Sequence, residues 1–344
     1  MSYVKFKNFI IIVLYIYPAL LTNIVYSEDI TNTEGIMDSL SICLTAEKMC
    51  MLTWSALEGM SFDIFYKSKA DTREYTNQLA NNIENTIANG IYTYTDIDSL
   101  NFKQRYYKVV ISGTDIGLED IGKFTIPVSV GMNLISIPLS TNSKKLDEIF
   151  SFQLTGSLYE YSSDRIWTII DNNWKTAYLI NTNGKYPDFD GKWFSGSTFS
   201  NIELEPGKAY WLEIRDNHVD EDIIIVGRIP KSDQMLKIDK GINLVGINYP
   251  NNISLEKSGL RESGLIGAMT ENSSDRIWTI IDDNWKTAYL IDTNGAYPEY
   301  DGKWFSGSIE SNIKLEPAKG YMLEVRNNHN EFIWLCPNPY NLEK

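Results

Sequence analysis

Six tryptophans recur in two matched sets: Trp167, Trp174 and Trp193, then Trp278, Trp285 and Trp304. A buried indole removes on the order of 200 Å² from water, an upper bound of roughly 5 kcal/mol at about 25 cal/mol per Å². Three such rings would hold a small module together. Displayed on one solvent-facing plane, the same rings would instead form a ligand-binding platform, above all for sugar rings. Residue statistics favour the core reading. Trp211 is a fourth ring, matched by Met322 in the second set. Beside it stands Tyr210; in a strand the two point to opposite faces, so only one belongs to a core.

Three other groups of residues are candidates for chemistry. Asp292, Asn294 and Asp301 lie around Gly295 and Gly302, with Asn181, Asn183, Asp188 and Asp190 as counterparts in the earlier copy. Calcium takes six to eight oxygens from loops of this kind, and it is the one cofactor the sequence suggests. The spacing is not that of an EF-hand, and Asx turns account for the same residues. His218 and His329 occupy equivalent positions in RDNH and RNNH, each after a strand in a polar turn that reads as a hairpin tip. A general base needs a nucleophile or an orienting carboxylate. Asp216 is beside His218, but Asn327 replaces it in the second copy. GxSxG, HExxH, a Cys–His pair and a phosphate-cradling glycine loop are all missing from the sequence. No catalytic residue is therefore assigned, and the chain reads as non-enzymatic. Cys43 and Cys50 flank Thr45–Lys48 and would face each other across two strands. An oxidising compartment would join them as a disulfide; otherwise they are two buried thiols. Cys336 is left over, and the spacing offers no zinc site.

The elements that position these residues are themselves duplicated. Residues 162–197 and 273–308 differ only at Asn172/Asp283, Asn181/Asp292, Lys185/Ala296, Asp188/Glu299 and Phe189/Tyr300. The period, 111 residues from Ser162 to Ser273, suits a small domain rather than a solenoid repeat. Each copy opens with a glycine turn into an alternating strand, Gly131–Leu139 and Gly241–Ile247. In the first, Lys144–Phe152 carries Leu146, Ile149 and Phe150 at helical spacing after Ser143, a capping residue. In the second, Gly259 and Gly264 interrupt Leu255–Ile266, so its helix should be shorter or broken. Pro206-Gly207 signals a type II turn before a strand from Ala209. Pro317-Ala318 stands there in the second copy, and alanine disfavours the positive φ such a turn needs. The expectation is a type I turn, or transfer of the glycine role to Gly320.

The chain of 344 residues carries a net charge of −14, or −16 once Lys5 and Lys7 are removed with the leader described next. An acidic surface repels phosphate backbones, which argues against a nucleic-acid partner. Residues 1–27 have the pattern of a secretory signal: Lys5 and Lys7, an apolar run from Phe9 to Leu21, then Val25-Tyr26-Ser27 before Glu28-Asp29. An uncleaved anchor is the rival, but the run is short of the roughly 20 residues a span requires. No other segment is apolar enough to span, so after cleavage no stable membrane span remains. The expected location is secreted, cell-surface or periplasmic. Residues 28–38 read as a linker.

From Ser39 the pattern is strand-like. Cys50, Leu52 and Trp54 share a face, Phe62–Tyr66 alternates, and Ile91–Asp96 and Arg105–Ile111 follow. Several short strands over about 80 residues imply a β-sandwich across residues 39–119. The segment 71–89 has Leu79, Ile83 and Ile87 at near-helical spacing, but its asparagines argue for a loop. Residues 120–130 read as a connector around Pro127. LTW…FDIFYKS, YTYTDID and RYYKVV together resemble a bacterial secreted fibronectin type III domain, with Trp54 and Tyr107 at its core tryptophan and late-strand tyrosine. That resemblance implies a seven-stranded sandwich acting as spacer or binding platform, not catalysis.

The two copies, 120–232 and 233–344, share a pattern GxNLxSIPL…W…W…LEPGKAYWLE. It resembles a repeat of bacterial and archaeal secreted and cell-surface proteins that often sits beside sandwich domains. The second copy departs from it at Ala318 and Met322. The resemblance implies location more than activity. The fold expected is mainly β: a fibronectin type III-like sandwich plus two tandem β-rich modules with minor α content. The function expected is structural or adhesive, with an extracellular protein or glycan as partner; carbohydrate binding through exposed aromatics is the alternative.

Overall fold

The computed structural model describes residues 37–341 apart from 71–73, 85, 89, 219–221, 282–283 and 327. The leader assigned to 1–27 and the linker up to residue 36 lie outside the described residues. The fold is mainly β, and every sheet is antiparallel.

The N-terminal unit is a two-sheet sandwich. One sheet has the order Met37–Leu44, Cys50–Ala56, Ile91–Asp96, Thr86–Ala88. The other has the order Ile223–Arg228, Gly117–Ile126, Gln104–Ile111, Phe62–Lys67, Asn77–Ile83. Alternation sends Cys50, Leu52 and Trp54 inward to meet Phe62, Ile64, Tyr107 and Val109. Trp54 stacks on Tyr92 at 5.8 Å and meets Phe62 edge-on at 5.4 Å. The segment expected to be a loop supplies two edge strands instead. Backbone pairing with Phe62–Lys67 and Ile91–Asp96, with register irregularities, overrides the weak strand preference of its asparagines.

The expected connector at 120–130 is also a strand, Gly117–Ile126, and it serves two cores. Ile121 faces the sandwich interior, whereas Phe124 and Ile126 face the first copy. Its other neighbour, Ile223–Arg228, is the last strand of that copy. The module's closing strand therefore lies in the sandwich's own sheet. The second copy is closed in the same way, by Gln234–Ile238 paired with Phe332–Cys336 as a separate two-stranded layer.

Each copy is built on a six-stranded sheet. In the first the order is Thr198–Phe199, Trp193–Ser195, Asn173–Leu179, Arg165–Ile170, Ala209–Ile214, Gly131–Ser136; the second repeats it in mirror listing from Gly241–Val245 to Ile309–Glu310. Asp171 and Asn172, both at positive φ, make the tight hairpin turn inside the tryptophan block. Ile135, Ile166, Ala177, Leu179, Trp193 and Leu212 point inward to the first core. The helices are single turns of equal length, Leu146–Ile149 in the first copy and Leu260–Ser263 in the second; the second is not shorter, but left-handed Gly259 breaks it from a 3₁₀ turn at Leu255–Lys257.

The turn at Ala318 departs from expectation. Ala318 keeps the left-handed conformation of Gly207, with φ 64° against 81°. Its methyl is buried in the first copy's core, and this packing offsets the left-handed strain of about 1–2 kcal/mol. At Gly207 a Cβ would lie 2.5 Å from Gln234 Nε2, so a methyl there would require the Gln234 side chain to shift.

Candidate functional site

The register of the six-stranded sheet sorts the tryptophans. Trp193 is opposite Leu179 on the inner face and is 4% exposed; its counterpart Trp304 is 1% exposed. Trp167 is opposite Trp211 and Thr176, and Trp211 is opposite Leu134. This row lies on the outer face, with Trp174 joining it opposite Ile169. Trp167 and Trp278 are half-buried, while Trp174 is 54% and Trp285 48% exposed. The core reading therefore holds for Trp193 and Trp304 alone and is corrected for Trp167, Trp174, Trp278 and Trp285. An inverted register would be needed to bury them, because one strand cannot send neighbouring odd and even positions to the same face. Tyr210, not Trp211, is the core member of its pair.

A charged network frames each outer face. Arg165 binds Glu213 through Nε at 2.8 Å and Nη2 at 2.9 Å, and reaches Glu160 through Nη1. Glu213 also accepts the Trp167 indole N–H at 3.1 Å and pairs with Arg215. Burial pushes the Glu213 carboxyl up, but the Arg165 and Trp167 hydrogen bonds and the guanidinium charges outweigh it and hold it below the usual range. Arg276, Trp278, Arg326 and Glu324 repeat the arrangement with the same direction of shift. The Arg276 guanidinium lies 4.5 Å from the Trp278 ring centre. Rings with exposed faces, bordered by carboxylate and guanidinium groups, can stack on an apolar ligand face and hydrogen-bond its rim.

The outer faces also join the copies. One extra residue between the opening strand and the tryptophan block makes the offset 110 before that block and 111 within it. With those offsets the contacts are reciprocal. Ser136 N–H donates to Ala318 O at 2.9 Å, and its equivalent Gly246 N–H donates to Gly207 O at 2.8 Å. Likewise Ile135 bridges Lys319 and Val245 bridges Lys208. Reciprocity of this kind defines an approximate two-fold axis. Equivalent residues meet on it: a Cβ on Gly246 would lie 2.2 Å from Ser136 Cβ, and one on Gly320 2.7 Å from Ala209 Cβ. The second copy carries glycine at both places, which lets the backbones approach. Beside the axis, Trp285 meets Trp211 at 6.1 Å and Trp278 at 6.4 Å, so one indole cluster draws on both copies.

The acidic loops are closed on themselves. Asp301 Oδ1 accepts from Thr293 N–H and Oγ1–H, its Oδ2 accepts from Gly295 N–H at 3.0 Å, and Asp292 Oδ1 accepts from Asn294 N–H at 2.8 Å. Asp190 does the same in the first copy. The carboxylates expected to face calcium thus face backbone and hydroxyl donors, Asp292 as an Asx turn and Asp301 as a clamp across the loop, and no three His, Cys, Asp or Glu side chains converge as a metal site among the described residues.

The disulfide is a correction. Cys43 is opposite Met51 and Cys50 opposite Leu44, so the two thiols leave opposite faces of the sheet and are free. Cys50 is buried, and burial pushes its thiol up to about 11. The histidines are a second correction. Both are buried, not at a polar tip: His218 Nδ1 is 2.8 Å from Asp164, and His329 Nδ1 is 2.6 Å from Asp275. Asp164 also accepts Thr155 N–H and Arg215 N–H, so the pair staples the loop before the first tryptophan strand to the turn after the last. The local Asp216 was the wrong partner. The usable signal was the separation, 54 residues from SSDR to RDNH or RNNH in both copies. No protein-family model matches the chain, and no curated protein matches it significantly.

Proposed function

We propose that this chain is an exported, non-enzymatic adhesion protein whose two modules are its binding units. The leader-like pattern of residues 1–27, the acidic surface and the resemblance to secreted sandwich and repeat modules support that reading. The two His–Asp pairs have the composition of a catalytic dyad, yet both are enclosed and their hydrogen bonds tie loops together.

One observation favours carbohydrate as the ligand. Trp174 and Trp285 are half-exposed on the same outer faces as Trp167 and Trp278, whose indole N–H groups bond the arginine-paired Glu213 and Glu324. Flat apolar rings next to planar hydrogen-bonding groups match the two faces of a sugar, apolar C–H on one and hydroxyls around the rim. Two copies in one chain would add avidity toward a polymer. A glycan array probed with the intact mature chain tests this. Binding that drops at least tenfold in Trp174→Ala/Trp285→Ala, with the strand content retained by circular dichroism, is the expected result. Absence of any glycan binding, with capture of a protein ligand unaffected by these changes, would remove the carbohydrate reading.

A further inference from the structure

We propose that the N-terminal sandwich encloses a site for a small monovalent anion of the halide class, held by Arg105, Lys123 and Thr125. The proposal is independent of the function inferred above. Arg105 and Lys123 are directly opposite each other on neighbouring strands, so their side chains leave the same face of the sheet. That face is the inner one, since Tyr107 and Ile121, two residues along each strand, belong to the sandwich core. Both cations are sealed: Arg105 is 2% exposed and Lys123 0%.

One carboxylate accompanies them. Asp96 Oδ2 lies 3.1 Å from Arg105 Nε and also accepts the Tyr107 O–H at 2.7 Å; Oδ1 accepts the Asp98 N–H at 3.1 Å. Arg105 Nη1, Lys123 Nζ and Thr125 Oγ1 are buried and have no protein partner. Thr125 is two residues beyond Lys123 and shares its face. The guanidinium of Arg105 packs over Tyr66 at 3.9 Å and Phe102 at 4.3 Å, which closes its faces and leaves only its edge to bond. The cluster therefore has two cations against one carboxylate in contact with it, Asp222 acting on Lys123 only through space, and its free groups are donors.

Neighbouring groups do not close this deficit. The Cys50 thiol, pushed up by burial, stays neutral at neutral pH. Burial lowers the Lys123 pKa, while Cys50, Asp96 and Asp222 act on it only through space. Burying a second cation without a counter-charge is unfavourable, and a hydrogen-bonded anion removes the penalty. A compact ion suits a site whose two cations are both sealed from solvent. A halide accepting from these three groups would satisfy both requirements.

The test uses the full mature chain. Thermal melts in sodium chloride and sodium gluconate at equal ionic strength should separate, the chloride curve rising with concentration as mass action requires. Crystals soaked in bromide should show an anomalous peak in contact with Lys123 Nζ and Arg105 Nη1. Lys123→Met should abolish the salt difference; if that variant does not fold, Thr125→Val should weaken it instead. Superimposable melts in the two salts, or a bromide difference map without a peak at these nitrogens, would overturn the site.

Discussion

Exchange of side chains across the two-fold axis tests the junction most directly. In Gly246→Ser the new Cβ would sit 2.2 Å from Ser136 Cβ and 2.6 Å from its Oγ, where ordinary contact begins near 3.4 Å. Both Cβ atoms are fixed to main chain, so neither side chain can rotate away and the strands must part. Overpacking alone costs about 1–3 kcal/mol, and parting the strands weakens the Ser136–Ala318 and Gly246–Gly207 hydrogen bonds. The single variant should lose about 3 kcal/mol. Ser136→Gly gives up the Ser136 Oγ–H bond to Lys319 O and adds chain entropy, roughly 1.5–2 kcal/mol. Additivity would put the double variant near about 5 kcal/mol. The two-fold relation says otherwise: the clash disappears, and the hydroxyl introduced by Gly246→Ser is placed to reach Lys208 O as Ser136 reached Lys319 O. The double variant should return to within about 1 kcal/mol of the parent, a coupling of about 4 kcal/mol. Urea unfolding followed by indole fluorescence reads this, since Trp211 and Trp285 border the axis; the midpoint and slope of the junction transition are compared between variants. Additive losses would refute the reciprocal geometry.

Three other outcomes follow. Trp304→Ala should destabilise by about 3–5 kcal/mol, whereas Trp174→Ala should stay within about 1 kcal/mol, because only the first empties a core; comparable losses in chemical unfolding would contradict the face assignment. Glu213 and Glu324 have folded pKa values below the unfolded one, so their stabilisation is complete above the ordinary glutamate value of about 4.3 and is lost as pH falls through the folded values. Melting temperature should fall in that acid window, and the fall should be shallower in Glu213→Gln/Glu324→Gln. Alkylation of the native chain near neutral pH should spare Cys50 and Cys336, whose thiols burial pushes up to about 11 and about 12, and denaturation without reductant should expose three titratable thiols. Recovery of only one would restore the disulfide.

Along the chain alone, the duplication, the mainly β class, the alternation that buries Cys50, Leu52 and Trp54, and the helix break at Gly259 were already legible. These are local matters of period, turn residue and backbone freedom, and a single chain segment carries them. Which tryptophans are interior was not legible. Trp167, Trp174 and Trp193 differ in no local property, and only the pairing of Trp193 with Leu179 and of Trp174 with Ile169 separates inner from outer face. The same limit explains the other departures. Strand Gly117–Ile126 resembles a connector until Ile223–Arg228, far along the chain, pairs with it. Ala318 violates turn chemistry until the first copy's core takes up its methyl. Asp164 finds His218 only across the folded sheet. Each of these waited for the folded arrangement because burial and charge pairing depend on residues brought together from distant parts of the chain, whereas propensity depends on neighbours alone.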